Sequence, residues 1–144
     1  MRIQAGSLLV VTLCLSVFSC SSQPPASAPD PVAALRAMPA ADAAKYESIR
    51  DMKTWKNPYI IVRVDGVTLY DSADSAEILL KTDELLPALA KLPSANWPYG
   101  RVVAAAEDTK RSSEQDGVAI RRNKGIVGGM LHEAGVEVRW VPAN

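Results

Sequence analysis

The sequence predicts a small two-layer α+β sandwich, in which a β-hairpin and a parallel strand–helix–strand unit form a four-stranded sheet with helices packed on one face. Asp65-Gly66 lies between two β-rich runs, and it indicates a hairpin because both central residues of such a turn adopt positive φ. Strand, helix and strand patterns follow at 101–106, 118–134 and 136–141. A unit of this kind is parallel and right-handed.

The N-terminal residues 1–19 have the layout of a secretory signal, with a positive charge followed by an uncharged apolar run. The run from Leu8 to Cys20 is shorter than the roughly 20 apolar residues that span a bilayer. Residues 17–19 resemble the lipobox of bacterial lipoproteins, which implies cleavage before Cys20 and lipidation of its thiol. Ordinary signal cleavage near residues 26–28 is the alternative.

The lipoprotein resemblance implies an exported protein that a lipid on Cys20 holds at the membrane. Ser21 after it favours the outer membrane, with the domain facing the periplasm. Residues 20–39 are rich in proline, serine and alanine and predict a semi-extended tether, and residues 40–144 predict a single α+β domain. The other cysteine, Cys14, lies in the predicted signal, so we expect no disulfide or thiolate site in the mature domain.

Composition limits the classes of partner. The chain carries 16 basic and 16 acidic side chains, so net charge gives no support for binding to nucleic acid. The apolar fraction of 48% is sufficient to bury a core. We therefore expect a globular domain without a nucleic-acid partner.

Two helical segments are predicted before the hairpin. Asp30 and Pro31 are residue types of a helix cap and a first helical residue, and they open a short segment. Residues 40–53 carry apolar side chains at three-residue spacing, which predicts a helix that Asn57-Pro58 ends. We interpret Tyr46 in this helix as a core residue.

The part of the chain after the hairpin alternates between polar and apolar segments. Residues 71–77 predict a loop, and Thr82 or Asp83 predicts the cap of a leucine-rich helix. Residues 107–117 predict a charged loop, and loops of that length are often functional. Three glycines of the last helix, Gly125, Gly128 and Gly129, predict close backbone packing, and Gly135 predicts the end of that helix.

Three short motifs resemble the periplasmic domain of ExbD/TolR-type transport proteins. They are Ile61 to Gly66 before a short strand, Asp83 to Leu86 leading a helix, and Leu131 to Val136 before the final strand. The resemblance spans Tyr59 to Val141 and implies a small envelope domain that meets a protein or cell-wall partner. The transmembrane helix of that family has no counterpart here, so the resemblance implies no energy transduction.

A turn and a loop contain the predicted partner-binding residues. Trp97, Tyr99 and Arg101 combine aromatic rings and a guanidinium in one turn, and these residue types are enriched in interface hot spots. Lys110 and Arg111 add positive charge in the charged loop. The alternative interpretation is that the turn closes the bottom of the core.

Candidate catalytic and metal-binding residues are few. His132-Glu133 lacks the second histidine of a zinc-protease helix, because position 136 is Val. Glu107 and Asp108 are adjacent on a predicted strand, so their side chains face opposite ways. The sequence therefore predicts no catalytic residue, no metal and no cofactor.

Three hypotheses for the function follow. The first is a lipid-tethered, non-enzymatic binding or assembly module for a protein or cell-wall partner. The second is a small envelope hydrolase that uses Glu107, Asp108 or His132 as its acid and base. The third is a structural spacer without a ligand.

Overall fold

A single five-stranded mixed sheet organises the computed structural model, which describes residues 29–71, 77–110 and 113–142. The strand order across the sheet is β3-β2-β1-β4-β5. The predicted signal, Cys20 and Arg111 lie outside the described residues. The elements are α1 (Pro31–Arg36), β1 (Tyr59–Val62), β2 (Val67–Tyr70), β3 (Glu77–Leu80), α2 (Leu85–Lys91), β4 (Val102–Glu107), α3 (Glu114–Glu133) and β5 (Glu137–Trp140). The α+β class is confirmed, with five strands instead of four.

The predicted hairpin is present as β1 and β2. Their register pairs Tyr59 with Tyr70 and Val62 with Val67. Gly66 has a φ of 153° in the turn, and a Cβ there would lie 2.1 Å from the backbone oxygen of Leu80. The turn therefore needs glycine for its backbone conformation and because the end of β3 approaches it closely.

The fifth strand, β3, is the element that the sequence did not predict. It pairs antiparallel with β2, with Ile78 opposite Leu69. Its four residues, EILL, do not alternate between polar and apolar, so the period of two that indicates a strand is missing. The predicted loop 71–77 therefore ends one residue earlier, and residues 72–76 of that loop lie outside the described residues.

The parallel unit β4–α3–β5 is confirmed, and β1 also pairs in parallel with β4. The five residues from Val102 to Ala106 are buried, as expected for a strand covered on both faces. All three helices pack on one face of the sheet, where side chains such as Leu35, Leu85 and Val127 share a core with β1 and β4.

The other face of the sheet is covered by chain without an α-helix. The predicted helix over 40–53 is wrong: the segment contains the 3₁₀ turns Ala43–Lys45 and Met52–Thr54. Tyr46 and Trp55 pack there with Tyr99 against β4, so Tyr46 does lie in a core. The segment departs from a helix because it wraps across the sheet, where the Asp42 amide donates to the Tyr99 carbonyl at 2.9 Å.

The folded unit also includes the helix α1, which lies in the segment assigned above to the tether. The Asp30 side chain accepts a hydrogen bond from the Val32 amide at 3.0 Å, as predicted for a cap. Leu35 is fully buried in the core on the helical face. The Nε of Arg36 donates to the Glu133 carbonyl at 3.1 Å, so α1 is held to the end of α3.

The last helix, α3, begins four residues earlier than predicted, which shortens the charged loop. Ser113 and Asp116 form a capping box, in which the Asp116 amide donates to Ser113 Oγ at 3.2 Å. Among the described residues, a Cβ added at Gly125, Gly128 or Gly129 would meet no atom within 4 Å outside the backbone of α3 itself, so the prediction of close packing is wrong. Gly125 and Gly129 are exposed, and Gly128 is half-buried.

The final strand, β5, is an edge strand, and its side chains differ from the expected pattern. Strict alternation along the predicted strand would place Val136 and Trp140 inward and Arg139 outward. Val136 is buried, but the Trp140 side chain is 38% exposed. Arg139 donates from Nη2 to the Ile49 carbonyl at 2.7 Å. The wrapped segment thus covers the face of β5 that the sequence pattern assigned to solvent.

No helix among the described residues is long and apolar enough to cross a membrane.

Candidate functional site

The carboxyl ends of two parallel strands, β1 and β4, meet in the middle of the sheet. Val62 and Glu107 are paired there, and the Asp108 amide donates to the Val62 carbonyl at 2.8 Å. After β1 the chain continues to β2 on one side of this point, and after β4 it continues to β5 on the other side. The loops that follow the two strands therefore diverge and leave a crevice between them, and open α/β sheets bind ligands in crevices of this kind.

An open cleft of about 440 Å³ lies at this position, and we call it the β1–β4 cleft. It is walled by the ends of β1 and β4, by the face of the hairpin that carries no helix, and by the wrapped segment. Its lining residues are Met52, Tyr59, Ile61, Arg63, Tyr70, Glu77, Glu107, Asp108, Thr109 and Lys110.

Arg63 is the central cation of the cleft. Its Nε lies 3.8 Å from Asp108 Oδ2 and 3.6 Å from Asp65 Oδ1, so both contacts are ion pairs without a hydrogen bond at that atom. The Nε atom is buried and has no hydrogen-bond partner among the described residues. Because an unmatched buried donor is unfavourable, this guanidinium has capacity for a further acceptor.

The two adjacent acids at the end of β4 contact different cations. The Glu107 carboxylate lies 2.7 Å from Lys124 Nζ on α3, whereas Asp108 lies near Arg63. Asp108 Oδ1 also accepts from the Lys110 amide at 2.9 Å, which shapes the loop that follows. This arrangement agrees with the expectation that the two side chains face opposite ways.

Two tyrosines line the wall of the cleft. The rings of Tyr59 and Tyr70 lie 5.7 Å apart across the hairpin. Burial raises the pKa of both phenols, and the neighbouring Glu77 adds to the raised pKa of Tyr70. At neutral pH both side chains are therefore protonated hydroxyl groups. The Tyr70 hydroxyl forms a hydrogen bond with Glu77, whereas the Tyr59 hydroxyl can donate to a ligand.

The structure does not bring the predicted partner-binding residues together. Trp97 is only 5% exposed in the core on the helical face, and Tyr99 is 8% exposed in the aromatic core on the other face. Arg101 donates from Nη1 to the Arg36 carbonyl at 3.0 Å and so fastens α1. Trp97 and Tyr99 therefore present little surface to a partner, whereas Arg101 is half-buried. The assignment of these three as partner-binding residues stays a prediction.

Lys110 is the predicted partner-binding residue, among those that the structure describes, that lines the β1–β4 cleft. The residues that sequence reasoning missed are Arg63 and the two tyrosines, which it treated only as strand positions. The available signal was topological: Arg63 follows β1 directly, as Asp108 follows β4. Pairing those two strand ends would have required the strand order, which the sequence pattern did not supply.

The residues of the hydrolase hypothesis are not gathered in one place. His132 is exposed in the last turn of α3 and does not line the cleft. Within residues 29–71, 77–110 and 113–142 no group of three His, Cys, Asp or Glu side chains could hold a metal ion.

Comparison of the chain with family models, with curated proteins and with solved structures finds no match. The resemblance to ExbD/TolR-type proteins therefore stays a prediction.

Proposed function

We propose that the protein is an exported, lipid-tethered module of the bacterial envelope that binds a peptide-bearing partner, without catalysis, through the β1–β4 cleft. The partner is an envelope protein or the peptide part of the cell wall, which share the chemistry of a polypeptide with charged groups. The observation that carries the proposal is the mixed charge of the cleft at the point where β1 and β4 end.

The cleft suits a ligand that carries both an amine and a carboxylate. Arg63 and Lys110 are the cations for a carboxylate, and Asp108 and Glu77 are the anions for an ammonium group. A guanidinium binds carboxylates through charge-assisted hydrogen bonds, which are stronger than neutral ones. Tyr59 and Tyr70 add apolar ring surface, and the Tyr59 hydroxyl adds a hydrogen-bond donor.

The lining residues support binding more than bond cleavage. Among the described residues that line the cleft there is no Ser, Cys or His, and the hydroxyl groups are those of Thr109 and the two tyrosines. Of its three acids, Glu107 contacts Lys124 and Asp108 contacts Arg63. A nucleophile held by a neighbouring base, the usual sign of covalent hydrolysis, is not seen among them.

The tether supports the envelope location. The apolar N-terminal run and the lipobox-like residues before Cys20 predict a lipid anchor, and residues 21–28 continue in a sequence rich in proline and serine. Two or more acyl chains make membrane attachment stable. The folded domain would then meet its partner close to the membrane surface.

Site-specific photo-cross-linking in living cells tests the proposal. A photoreactive amino acid is placed at Thr109, an exposed residue of the cleft, and the matched control places it at Val118, which is 54% exposed on α3. We expect a covalent adduct from position 109 and none from 118. The adduct should weaken strongly when Arg63→Met is added, because the main cation of the cleft is then lost.

Digestion of the adduct distinguishes the two sources of peptide. A protease-sensitive adduct indicates a protein partner, and an adduct that shrinks only with a cell-wall muramidase indicates the wall. Equal labelling from positions 109 and 118, or no labelling from either, would contradict binding at the cleft and favour the spacer hypothesis.

A further inference from the structure

A second surface of the protein has the features of an interface. The strand β3 is at the edge of the sheet, and among the described residues it pairs only with β2. Its side chains Ile78 and Leu79 are 42% and 58% exposed, which is unusual for adjacent large apolar residues. The described part of this edge is short and has no proline and no bulge, which are two of the devices that protect an edge strand, and charged side chains stand only at its ends, Glu77 and Lys81.

An apolar groove continues this edge onto the helical face. It has a volume of about 490 Å³ and lies between β3 and α2. Ile78, Leu80, Pro87 and Leu92 supply apolar lining, and the charges of α2 stand at its rim, with Asp83 and Glu84 before the helix and Lys91 at its end. The groove and the edge form one continuous surface, which we call the β3 edge surface.

We propose that the β3 edge surface pairs with a second copy of this chain, so that two β3 strands run antiparallel about a two-fold axis. In an antiparallel pair, directly opposite residues point to the same face of the sheet, and side chains alternate between the two faces along each strand. A two-fold axis perpendicular to the sheet must therefore place one residue of β3 directly opposite the same residue of the partner. The choice lies between Ile78 and Leu79 as the central residue.

The charges of Glu77 and Lys81 favour Leu79 as the central residue. With the axis there, Glu77 lies opposite the partner's Lys81, and Ile78 lies opposite the partner's Leu80. With the axis at Ile78, Glu77 would lie opposite the partner's Leu79, which places a carboxylate against an apolar side chain. Opposite charges directly across an antiparallel pair are favourable, and the first register contains two such pairs.

The same two-fold axis places the two apolar grooves on one side of the joined sheet, because each groove lies on the helical face of its own copy. A two-stranded ribbon of four residues is only marginally stable alone, so the apolar groove is a necessary part of the interface. The second copy thus covers both the open backbone edge and the exposed apolar side chains.

Disulfide trapping in membranes tests the pairing with the full chain. Leu79→Cys places two thiols opposite each other at the axis, where Cβ atoms of paired residues are about 4.5–5.5 Å apart. Under mild oxidation we expect a reducible dimer that accounts for most of the protein. The controls are the unaltered chain, which reports on its own cysteines, and Val118→Cys, an exposed position on α3.

The outcome at neighbouring positions fixes the register. Ile78→Cys should form far less dimer than Leu79→Cys, because its opposite residue is the partner's Leu80. A dimer from Ile78→Cys in preference to Leu79→Cys would overturn the register. A Leu79→Cys yield no higher than that of Val118→Cys would overturn the dimer itself, and would leave this edge for a different partner.

A charge exchange provides a test that needs no cysteine. Glu77→Lys and Lys81→Glu each place like charges opposite each other twice, so each variant should dimerise about tenfold more weakly than the unaltered chain. An equal mixture of the two should recover dimer, because both cross-strand pairs are then of opposite charge. Failure of the mixture to recover would contradict the proposed pairs, whatever each substitution does to the cleft.

Discussion

Asn57 is a small residue with a large structural role that the sequence did not reveal. Its buried side chain donates from Nδ2 to the carbonyls of Gly100 and Val102 at 2.8 and 2.7 Å. Its Oδ1 accepts from the Tyr99 amide at 3.0 Å. The sequence indicated only that Asn57-Pro58 ends a helix, because the partners lie more than 40 positions further along the chain.

Replacement of this amide should destabilise the domain strongly. We expect Asn57→Ala to lower the free energy of unfolding by about 2 kcal/mol, because the Tyr99 amide and the Val102 carbonyl lose the side chain that bonds them and each loss costs about 1 kcal/mol or more. The Gly100 carbonyl keeps the Val102 amide as its donor at 2.8 Å. Denaturant unfolding measures the change, with Ser94→Ala at an exposed position as the control. A loss below about 1 kcal/mol would mean that water replaces the amide.

Tyr46 should make the stability of the domain depend on alkaline pH. Burial, and next the hydrogen bond that it donates to Glu137 Oε1 at 2.5 Å, raise its pKa from 10.0 to about 12. Because the folded pKa is the higher one, the stabilisation is complete below pH 10 and is lost as the pH rises towards 12.

The matched variant is Tyr46→Phe, which keeps the ring and removes the titrating group. Unfolding free energies measured from pH 9 to 12 should fall less steeply in this variant than in the unaltered domain. Tyr59 and Tyr70 titrate in the same direction and leave a residual slope in both proteins. Parallel curves would show that Tyr46 does not titrate differently in the folded state.

The helix α3 contains glycines that weaken it without a packing reason. Gly125 and Gly129 have open space where a Cβ would lie. Glycine within a helix is less favourable than alanine by about 0.5–1 kcal/mol, so Gly125→Ala and Gly129→Ala should each stabilise the domain by that amount. Thermal or denaturant unfolding measures the gain.

Gly135 is the contrasting control for these two substitutions. It ends α3 with a φ of +69°, and a Cβ would lie 3.1 Å from Arg101 Nη1. Gly135→Ala should therefore destabilise. A loss of stability in Gly125→Ala or Gly129→Ala would contradict the open space beside these two residues.

The short helix α1 tests where the folded domain begins. Leu35 is fully buried, and Leu35→Ala should lower the free energy of unfolding by about 2–5 kcal/mol, as for other large-to-small substitutions in a core. The exposed Ala33→Ser is the control, with an expected change within about 0.5 kcal/mol. If Leu35→Ala left the free energy of unfolding unchanged, α1 would belong to the tether and not to the folded domain.

Elements defined by nearby residues were predictable from the sequence, and those defined by distant residues were not. The hairpin at Asp65-Gly66 and the cap at Asp30 depend on residues within a few positions. The strand β3 and the segment over 40–53 depend on the edge and the face of the sheet that they cover. Local propensity is a weak guide where such contacts decide the conformation.

At the scale of the whole molecule, two surfaces lie on either side of the hairpin. The β1–β4 cleft contains charges of both signs, and the β3 edge surface is mainly apolar. Glu77 belongs to both, since it lines the cleft and begins the edge strand. The sequence predicted a binding module with Lys110 at its site, but the partners of Lys110 in the cleft depended on a strand order that no local pattern contained.

The shared position of Glu77 leads to a prediction that couples the two surfaces. Glu77→Gln removes one charge from the cleft and weakens the contact with the partner's Lys81. We expect it to lower both the photo-adduct from Thr109 and the yield of the Leu79→Cys dimer. Lys81→Gln, which does not line the cleft, should lower only the dimer yield.

The proposed lipid tether at the envelope can be tested by the intact mass of the protein recovered from membranes. We expect a chain that begins at Cys20 and carries added acyl groups, and we expect Cys20→Ser to abolish both the added mass and the membrane attachment. A soluble product without acyl groups would contradict the tether and would direct the search for a partner towards diffusible ligands.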